Sequence, residues 1–209
     1  AVCRALTDRG NICVKENCAQ VTLHTDGKQW HALAGGKTLA RARVAIVATG
    51  TATTTMEQFR WLPLQTIRGQ ITELPAMQAS ERLRGALCHE GYIAPARAGT
   101  HSIGASFNVN INDPAPRIQD NLDNLSKLAA AIPDWRPALE ALEPSALQSR
   151  VGYRCTSPDY LPVVGPAPAF DEFVRDFGDL RKNARQQISH RGPYIPGLYI
   201  NAAHGSRGL

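Results

Sequence analysis

Arg43-Val44-Ala45-Ile46-Val47-Ala48-Thr49-Gly50 runs apolar without alternation, the pattern of a strand buried on both faces in a parallel sheet. A strand of that kind commits its part of the chain to an α/β layer. Ligands of open α/β sheets sit beyond the carboxyl ends of the strands, and here that end is Ala48-Thr49-Gly50. Buried strands ending in glycine are also common without a ligand, so the end marks a place rather than a function.

Everything else that reads as strand is shorter or broken by turns. Ile12–Glu16, Val21–Thr25 and Gln29–Leu33 are expected strands, with Asp26-Gly27 as the hairpin turn between the last two. Ala34-Gly35-Gly36-Lys37-Thr38 imitates the end of a phosphate-binding P-loop. His31 stands where that motif requires its first glycine, which rules out a nucleotide site there. Ile67–Leu74 is a strand with Gly69 inside it, either a bulge or a point where side-chain bulk is excluded. Leu83–His89, Gly91–Pro95 and His101–Phe107 continue as a strand series turning at Glu90-Gly91 and Gly99-Thr100.

Ile118, Leu122, Leu125, Leu128 and Ile132 recur at helical spacing between Pro116 and Pro133 and predict a helix over one face of that antiparallel sheet. A second, short helix starts near Arg136-Pro137 and stops before Pro144. Phe170, Phe173, Phe177 and Leu180 mark an amphipathic helix, which Arg181–Gln187 extends as a basic surface. Ala1–Arg9 reads as the end of a helix, and an opening without cap or methionine reads as a chain cut from something longer.

Composition narrows the class. With 43% hydrophobic and 20% charged residues in 209, the chain is a globular protein of one domain or two small ones. No apolar run is long enough to cross a bilayer and no signal-peptide pattern opens the chain, so the expected compartment is the cytoplasm. Five cysteines at irregular spacing, without a Cys-x-x-Cys, read as reduced thiols serving mainly as small core residues. The six histidines form no ligand cluster, and no metal site is expected. The net charge of +5 is unevenly spread: Leu180–Leu209 holds no Asp or Glu while Arg181, Lys182, Arg185 and Arg191 are basic. Such a one-sign stretch attracts a phosphate backbone, or is simply a solvated face.

Val151-Gly152-Tyr153-Arg154-Cys155-Thr156 is strand-like, and Ser157-Pro158-Asp159 turns it into an apolar segment closed by Pro162 and Gly165. A guanidinium held at such a strand end offers a planar fork that matches a carboxylate bidentately. Read by itself it is equally a surface arginine. Tyr92 and Tyr153, aromatic residues on strands near polar turns, either close a substrate pocket or merely pack with their hydroxyls outward.

The wording Gly152-Tyr153-Arg154-Cys155-Thr156-Ser157-Pro158-Asp159-Tyr160-Leu161-Pro162, with the terminal His204-Gly205-Ser206-Arg207-Gly208-Leu209, resembles the glycine/D-amino-acid oxidase family of flavoproteins, and within it a tRNA-modifying branch. The resemblance implies an α/β plus α+β fold, part of a FAD-binding Rossmann-like domain with an antiparallel-sheet substrate domain covered by helices. Residues 1–65 would be the partial FAD-binding domain, 66–150 the substrate domain and 151–209 the return to the first. It implies FAD as cofactor, with Ala48, Thr49, Gly50, Arg68, Gly69, Gln70, His204, Gly205, Ser206, Arg207, Gly208 and Leu209 beside it. Arg154 takes the family's carboxylate-binding place, Tyr92 and Tyr153 are pocket residues, and Arg207 is a second cation at the carboxylate or flavin.

The family's Gly-x-Gly-x-x-Gly turn, which holds the pyrophosphate at a helix N-terminus, is missing, since no two glycines here stand two apart. The expectation is therefore an internal piece of such an enzyme, inactive alone. The activity implied is FAD-dependent removal of the carboxymethyl group from 5-carboxymethylaminomethyl-(2-thio)uridine at the tRNA wobble position. The products would be 5-aminomethyl-(2-thio)uridine and glyoxylate. A methyltransferase domain is expected upstream, tRNA is the expected partner, and Arg181, Lys182, Arg185 and Arg191 are its candidate contacts. Two alternatives stand beside this: an oxidase of free glycine, sarcosine or a D-amino acid, and a non-catalytic tRNA-binding fragment.

Overall fold

The computed structural model describes residues 8, 10, 12–18 and 20–205. Asp8 aside, the helix end expected at Ala1–Arg9 lies outside the described residues, as do Ser206, Arg207, Gly208 and Leu209. In chain order the strands are β1 (Val21–Thr25), β2 (Trp30–Ala34), β3 (Lys37–Ala42), β4 (Ala45–Val47), β5 (Gln65–Pro75), β6 (Leu87–Cys88), β7 (Tyr92–Ile93), β8 (Thr100–Gly104), β9 (Asn108–Val109), β10 (Ser149–Thr156), β11 (Val163–Pro168) and β12 (Tyr194–Ala202). The α-helices among the described residues are α1 (Ile118–Ala131), α2 (Arg136–Glu140) and α3 (Phe170–Phe177). Two compact units result. One takes the chain up to Leu62 with Val163–Ala202, the other Pro63–Pro162 with the residues from Ala203 on. The second unit thus keeps all of β10, which the sequence reading returned to the first unit at residue 151.

In the first unit, β1, β2 and β3 form an antiparallel meander. Its first turn is fixed by Asp26, whose Oδ1 accepts from the amides of Lys28 and Gln29 at 2.8 and 2.7 Å. Those donors, with His31, hold its carboxyl far below the usual range. Gly35 and Gly36, both at positive φ, make the second turn, so the P-loop imitation is a two-residue hairpin loop. Ile12–Glu16, expected as a strand, is irregular and exposed.

The other sheet of this unit has the order β11-β12-β4, with β4 parallel to β12 as the apolar run predicted. Burial is one-sided, however. Val47, Leu198, Ile200 and Ala202 are packed, whereas Ile46 on the opposite face is 67% exposed. Helix α3 presents Phe173 and Phe177 in ring contact 4.5 Å apart, and Trp61 stacks on Phe170 at 4.8 Å. The helix does not continue into Arg181–Gln187; one tight turn, Gly178–Arg181, follows it and the chain is then irregular. That segment is polar all round, so a further helical turn would have no face to bury.

In the second unit the sheet order is β10-β5-β8-β7-β6, with β9 also on β5, and every pair is antiparallel. Helix α1 lies over one face, bracketed by the prolines as expected. Leu74, Ile93, Ile103, Leu125, Leu128 and Leu139 form the core between them, each contributing about 1.5–3 kcal/mol by burial. The stripe is only half as predicted. Leu125 and Leu128 are buried, but Ile118 and Leu122 are exposed, and Asp120, Asn121 and Asn124 face the sheet in their place. The thiols also depart from expectation: Cys155 is buried, whereas Cys13, Cys18 and Cys88 are exposed.

Candidate active site

The pairing of β5 with β10 builds the site. Residues directly opposite in an antiparallel pair share a face, and alternate residues change face. Arg68, Gln70 and Thr72 therefore lie on one face with Tyr153, Val151 and Ser149, and Ile67, Gly69 and Ile71 on the other with Arg154, Gly152 and Arg150.

The first face is covered by α1 and its polar groups are spoken for. Arg68 is fully buried; it donates to Asp120 Oδ2 at 2.5 Å, to the carbonyls of Asp113 and Ala115, and to Gln70 Oε1. Gln70 donates to Asn121 and to the Arg117 carbonyl, and Thr72 donates to Asn121. This layer uses every polar function of the Arg68 and Gln70 side chains. Neither side chain is left for a ligand on the other side. The signal the sequence held was three polar residues, Asp120, Asn121 and Asn124, on one side of a helix. Such a group normally reads as the solvent face.

The second face is open. Gly69 and Gly152 are directly opposite each other, so the sheet has a window without side chains. A cavity of about 310 Å³ lies over it, lined by Gly69, Ile71 and Ala105 on one side and the β10 run Arg150–Arg154 on the other. The strand passes Gly69 without a register shift, which removes the bulge reading. A Cβ there would lie 3.2 Å from the Ser106 carbonyl oxygen and 3.3 Å from Arg154 Nη1. Side-chain bulk is excluded at that point, as the sequence allowed.

Arg154 is half-buried at the end of the window and has no hydrogen-bond or ion-pair partner among the described residues. Its backbone is held by the turn that follows. Ser157 Oγ lies 2.7 Å from both Asp159 Oδ1 and the Leu161 carbonyl oxygen, with one proton shared between these two acceptors, and the Leu161 amide donates to Asp159 Oδ1 at 3.1 Å. These donors hold the Asp159 carboxyl below its usual range. The Gly205 amide donates to the Cys155 carbonyl at 2.8 Å and His204 pairs with Thr156, so both family stretches meet at the end of β10. Burial pushes the Cys155 thiol up, which keeps this neighbour of Arg154 protonated and unreactive.

The remaining candidates separate. Tyr153 is among the residues lining the cavity, although its strand position faces away from Arg154 and it is 40% exposed. Tyr92 shares Arg154's face, but the row Arg150–Ile71–Gly104–Tyr92 puts it three strands from β10, roughly 14 Å away. Ala48, Thr49 and Gly50 belong to the first unit, at the carboxyl end of β4, with Thr49 exposed and Gly50 at positive φ. Arg181, Lys182, Arg185 and Arg191 are exposed in that same unit. The sequence reading passed over Arg150, although its spacing from Gly152 and Arg154 is that of one strand face.

Residues 1–209 match the sequence model of the family described as DAO, FAD dependent oxidoreductase. The chain belongs to that family. Among solved structures, this FAD-dependent oxidoreductase chain is similar to glycine oxidase from Geobacillus kaustophilus, with a TM-score of 0.63 and 20% identity over 89% of this chain and 42% of that one. It is similar also to iminodiacetate oxidase from Chelativorans sp. BNC1, with a TM-score of 0.62 and 18% identity over 91% and 44%. Both likenesses are of fold. Among curated relatives, the tRNA 5-methylaminomethyl-2-thiouridine biosynthesis bifunctional proteins MnmC of Stutzerimonas stutzeri and Chromobacterium violaceum are each 43% identical over the whole of this chain. The chain spans about a third of their length, 32% in both cases.

Proposed function

We propose that this chain is part of a flavoenzyme that removes the carboxymethyl group from 5-carboxymethylaminomethyl-(2-thio)uridine at the wobble position of tRNA. The observation that carries the reading is Arg154, a half-buried arginine without a partner among the described residues, at the end of a window free of side chains. Membership of a FAD-dependent family supports the reaction class, and relatives named for tRNA 5-methylaminomethyl-2-thiouridine biosynthesis support a modified uridine of tRNA as the substrate.

The residues fit the ring end of FAD. A flat ring edge needs a point of close approach without a projecting side chain, which Gly69 provides on β5, and the open stretch over Gly152 is left to the substrate. Gly69, with His204 and Gly205 at the end of β10, would lie at the ring end of FAD while Arg68 and Gln70 shape the strand from behind; Ala48, Thr49 and Gly50 stand as separate cofactor candidates in the first unit. No Gly-x-Gly-x-x-Gly turn for the pyrophosphate occurs in these 209 residues. FAD, when bound, supplies a two-electron acceptor for a hydride.

The chain's own residues do the binding. Arg154 takes the carboxylate of the glycine unit bidentately, fixing the carbon between carboxylate and amine. Ile71 and Ala105 give the cavity its apolar wall. The substrate's carbon loses a hydride and its nitrogen a proton, giving an imine; water then splits it into the aminomethyl uridine and glyoxylate. No side chain need act as a base when the amine enters neutral.

Cytoplasmic location, tRNA as partner and a methyltransferase activity elsewhere in the parent protein belong to the same proposal, as do Arg181, Lys182, Arg185 and Arg191 as RNA contacts. Among the described residues, no helix is long and apolar enough to cross a membrane. In the FAD-loaded protein that carries this chain, Arg154→Leu is expected to lower kcat/KM on the modified anticodon about 100-fold or more while FAD stays bound. Unchanged efficiency would reject the assignment. The small cavity favours one second reading, oxidation of a free amine such as glycine or sarcosine; turnover of those with peroxide release and without RNA would establish it.

A further inference from the structure

Arg154 is one of two arginines on its face of β10. Arg150 stands four residues earlier, across Gly152, and lines the same cavity. We infer that Arg150 binds a phosphodiester of the RNA strand beside the modified nucleotide, and that this contact separates an RNA substrate from a free amine. The inference rests on the RNA-substrate reading given above.

Three features carry it. The first is spacing: four residues along a strand span about 13 Å, and the residue between has no side chain to block a ligand lying along it. One molecule with an anion at each end can engage both guanidinium groups. The second is depth. Arg154 is half-buried and suits a small terminal carboxylate, whereas the Arg150 side chain is 71% exposed, at the mouth where a polymer backbone must remain. The third is availability. The carboxylate paired with Arg150 is Glu73, 3.7 Å away and beyond hydrogen-bond reach, a loose surface pair that a phosphate displaces at little cost. A free amino acid offers one anion and leaves Arg150 idle. A nucleotide whose base ends in a carboxylate offers two, and the arginine fork matches phosphate bidentately.

The test compares two substrates of the FAD-loaded protein that carries this chain: an anticodon stem-loop RNA bearing 5-carboxymethylaminomethyluridine, and the same compound as a free nucleoside. Arg150→Ala should lower the ratio of kcat/KM for RNA to that for nucleoside about tenfold, the scale of one lost charge-assisted hydrogen bond. The dependence of log kcat/KM for the RNA on log salt should become shallower by about 0.7. Arg150→Lys, which keeps the charge and loses the fork, should retain most of the wild-type salt slope. An unchanged ratio and slope in Arg150→Ala would overturn the inference alone. So would an equal loss on both substrates, which is the mark of a general positioning role. A wild-type protein that oxidises neither substrate would overturn the RNA-substrate reading, and this inference with it.

Discussion

Arg68 and Arg154 stand on neighbouring strands one register position apart, and they have opposite fates. Arg68 is buried under α1 and gives its donors to Asp120, Gln70 and two carbonyls. Arg154, on the other face of the same strand pair, is half-buried and has no partner among the described residues. A buried guanidinium with all three nitrogens hydrogen-bonded is part of the framework, and its charge is already compensated. One left unpaired over an open cavity still has its charge to offer. The comparison teaches that availability distinguishes a binding arginine from a structural one.

The largest expected effect breaks the closed face. Arg68→Met leaves Asp120 buried without its partner and should cost about 3–5 kcal/mol in urea denaturation, while the double variant Arg68→Met/Asp120→Leu recovers most of it. Arg154→Leu should change stability by no more than about 0.5 kcal/mol, because nothing in the described fold relies on its charge. If Arg154→Leu proved as destabilising as Arg68→Met, the two faces would not differ in the way described.

How much of this contrast the sequence reveals depends on the range of the interaction. The Asp26-Gly27 turn, the prolines around α1 and the Gly69 constriction are local signals and are all legible. Which side of α1 faces the sheet is not. Asp120, Asn121 and Asn124 turn inward because Arg68, Gln70 and Thr72, some fifty residues earlier, present donors and acceptors there. No local pattern carries that complementarity. The face on which Tyr153 stands is hidden for a related reason: it is set by register with β5, and a neighbour of Arg154 in sequence is on the opposite face by the period of two. The role of Arg154 itself comes from family likeness, since a strand-end arginine alone is uninformative.

The glycine pair sharpens the comparison with a smaller effect. A Cβ at Gly152 meets nothing within 4 Å, so Gly152→Leu should fold normally and fill the window. KM should then rise about tenfold, the loss of roughly 1.4 kcal/mol of binding, with Tm unchanged. Gly69→Ala is the counterpart. Its Cβ would press on the Ser106 backbone, which cannot turn aside like a side chain, so a stability loss of about 1–3 kcal/mol is expected. A Gly152→Leu protein with ordinary KM would show that substrate does not cross the window.

The smallest effect concerns how Arg154 is held. Ser157 and the Leu161 amide donate to Asp159 and favour its ionised form, so its carboxyl in the folded protein lies below the ordinary aspartate range. A carboxylate lowered on folding stabilises the fold fully above its unfolded value, and that contribution is lost as pH falls through the folded value. Asp159→Asn removes this titration and weakens the turn in one step. Thermal unfolding followed from about pH 7 down to about pH 3 should therefore show wild type the more stable at neutral pH, with the gap closing on acidification. Asp26 is lowered by its own turn amides and titrates alike in both proteins, so it cancels in the difference. A gap that stayed constant across the range would mean that the Asp159 charge contributes nothing, and that shape alone holds the strand end on which Arg154 stands.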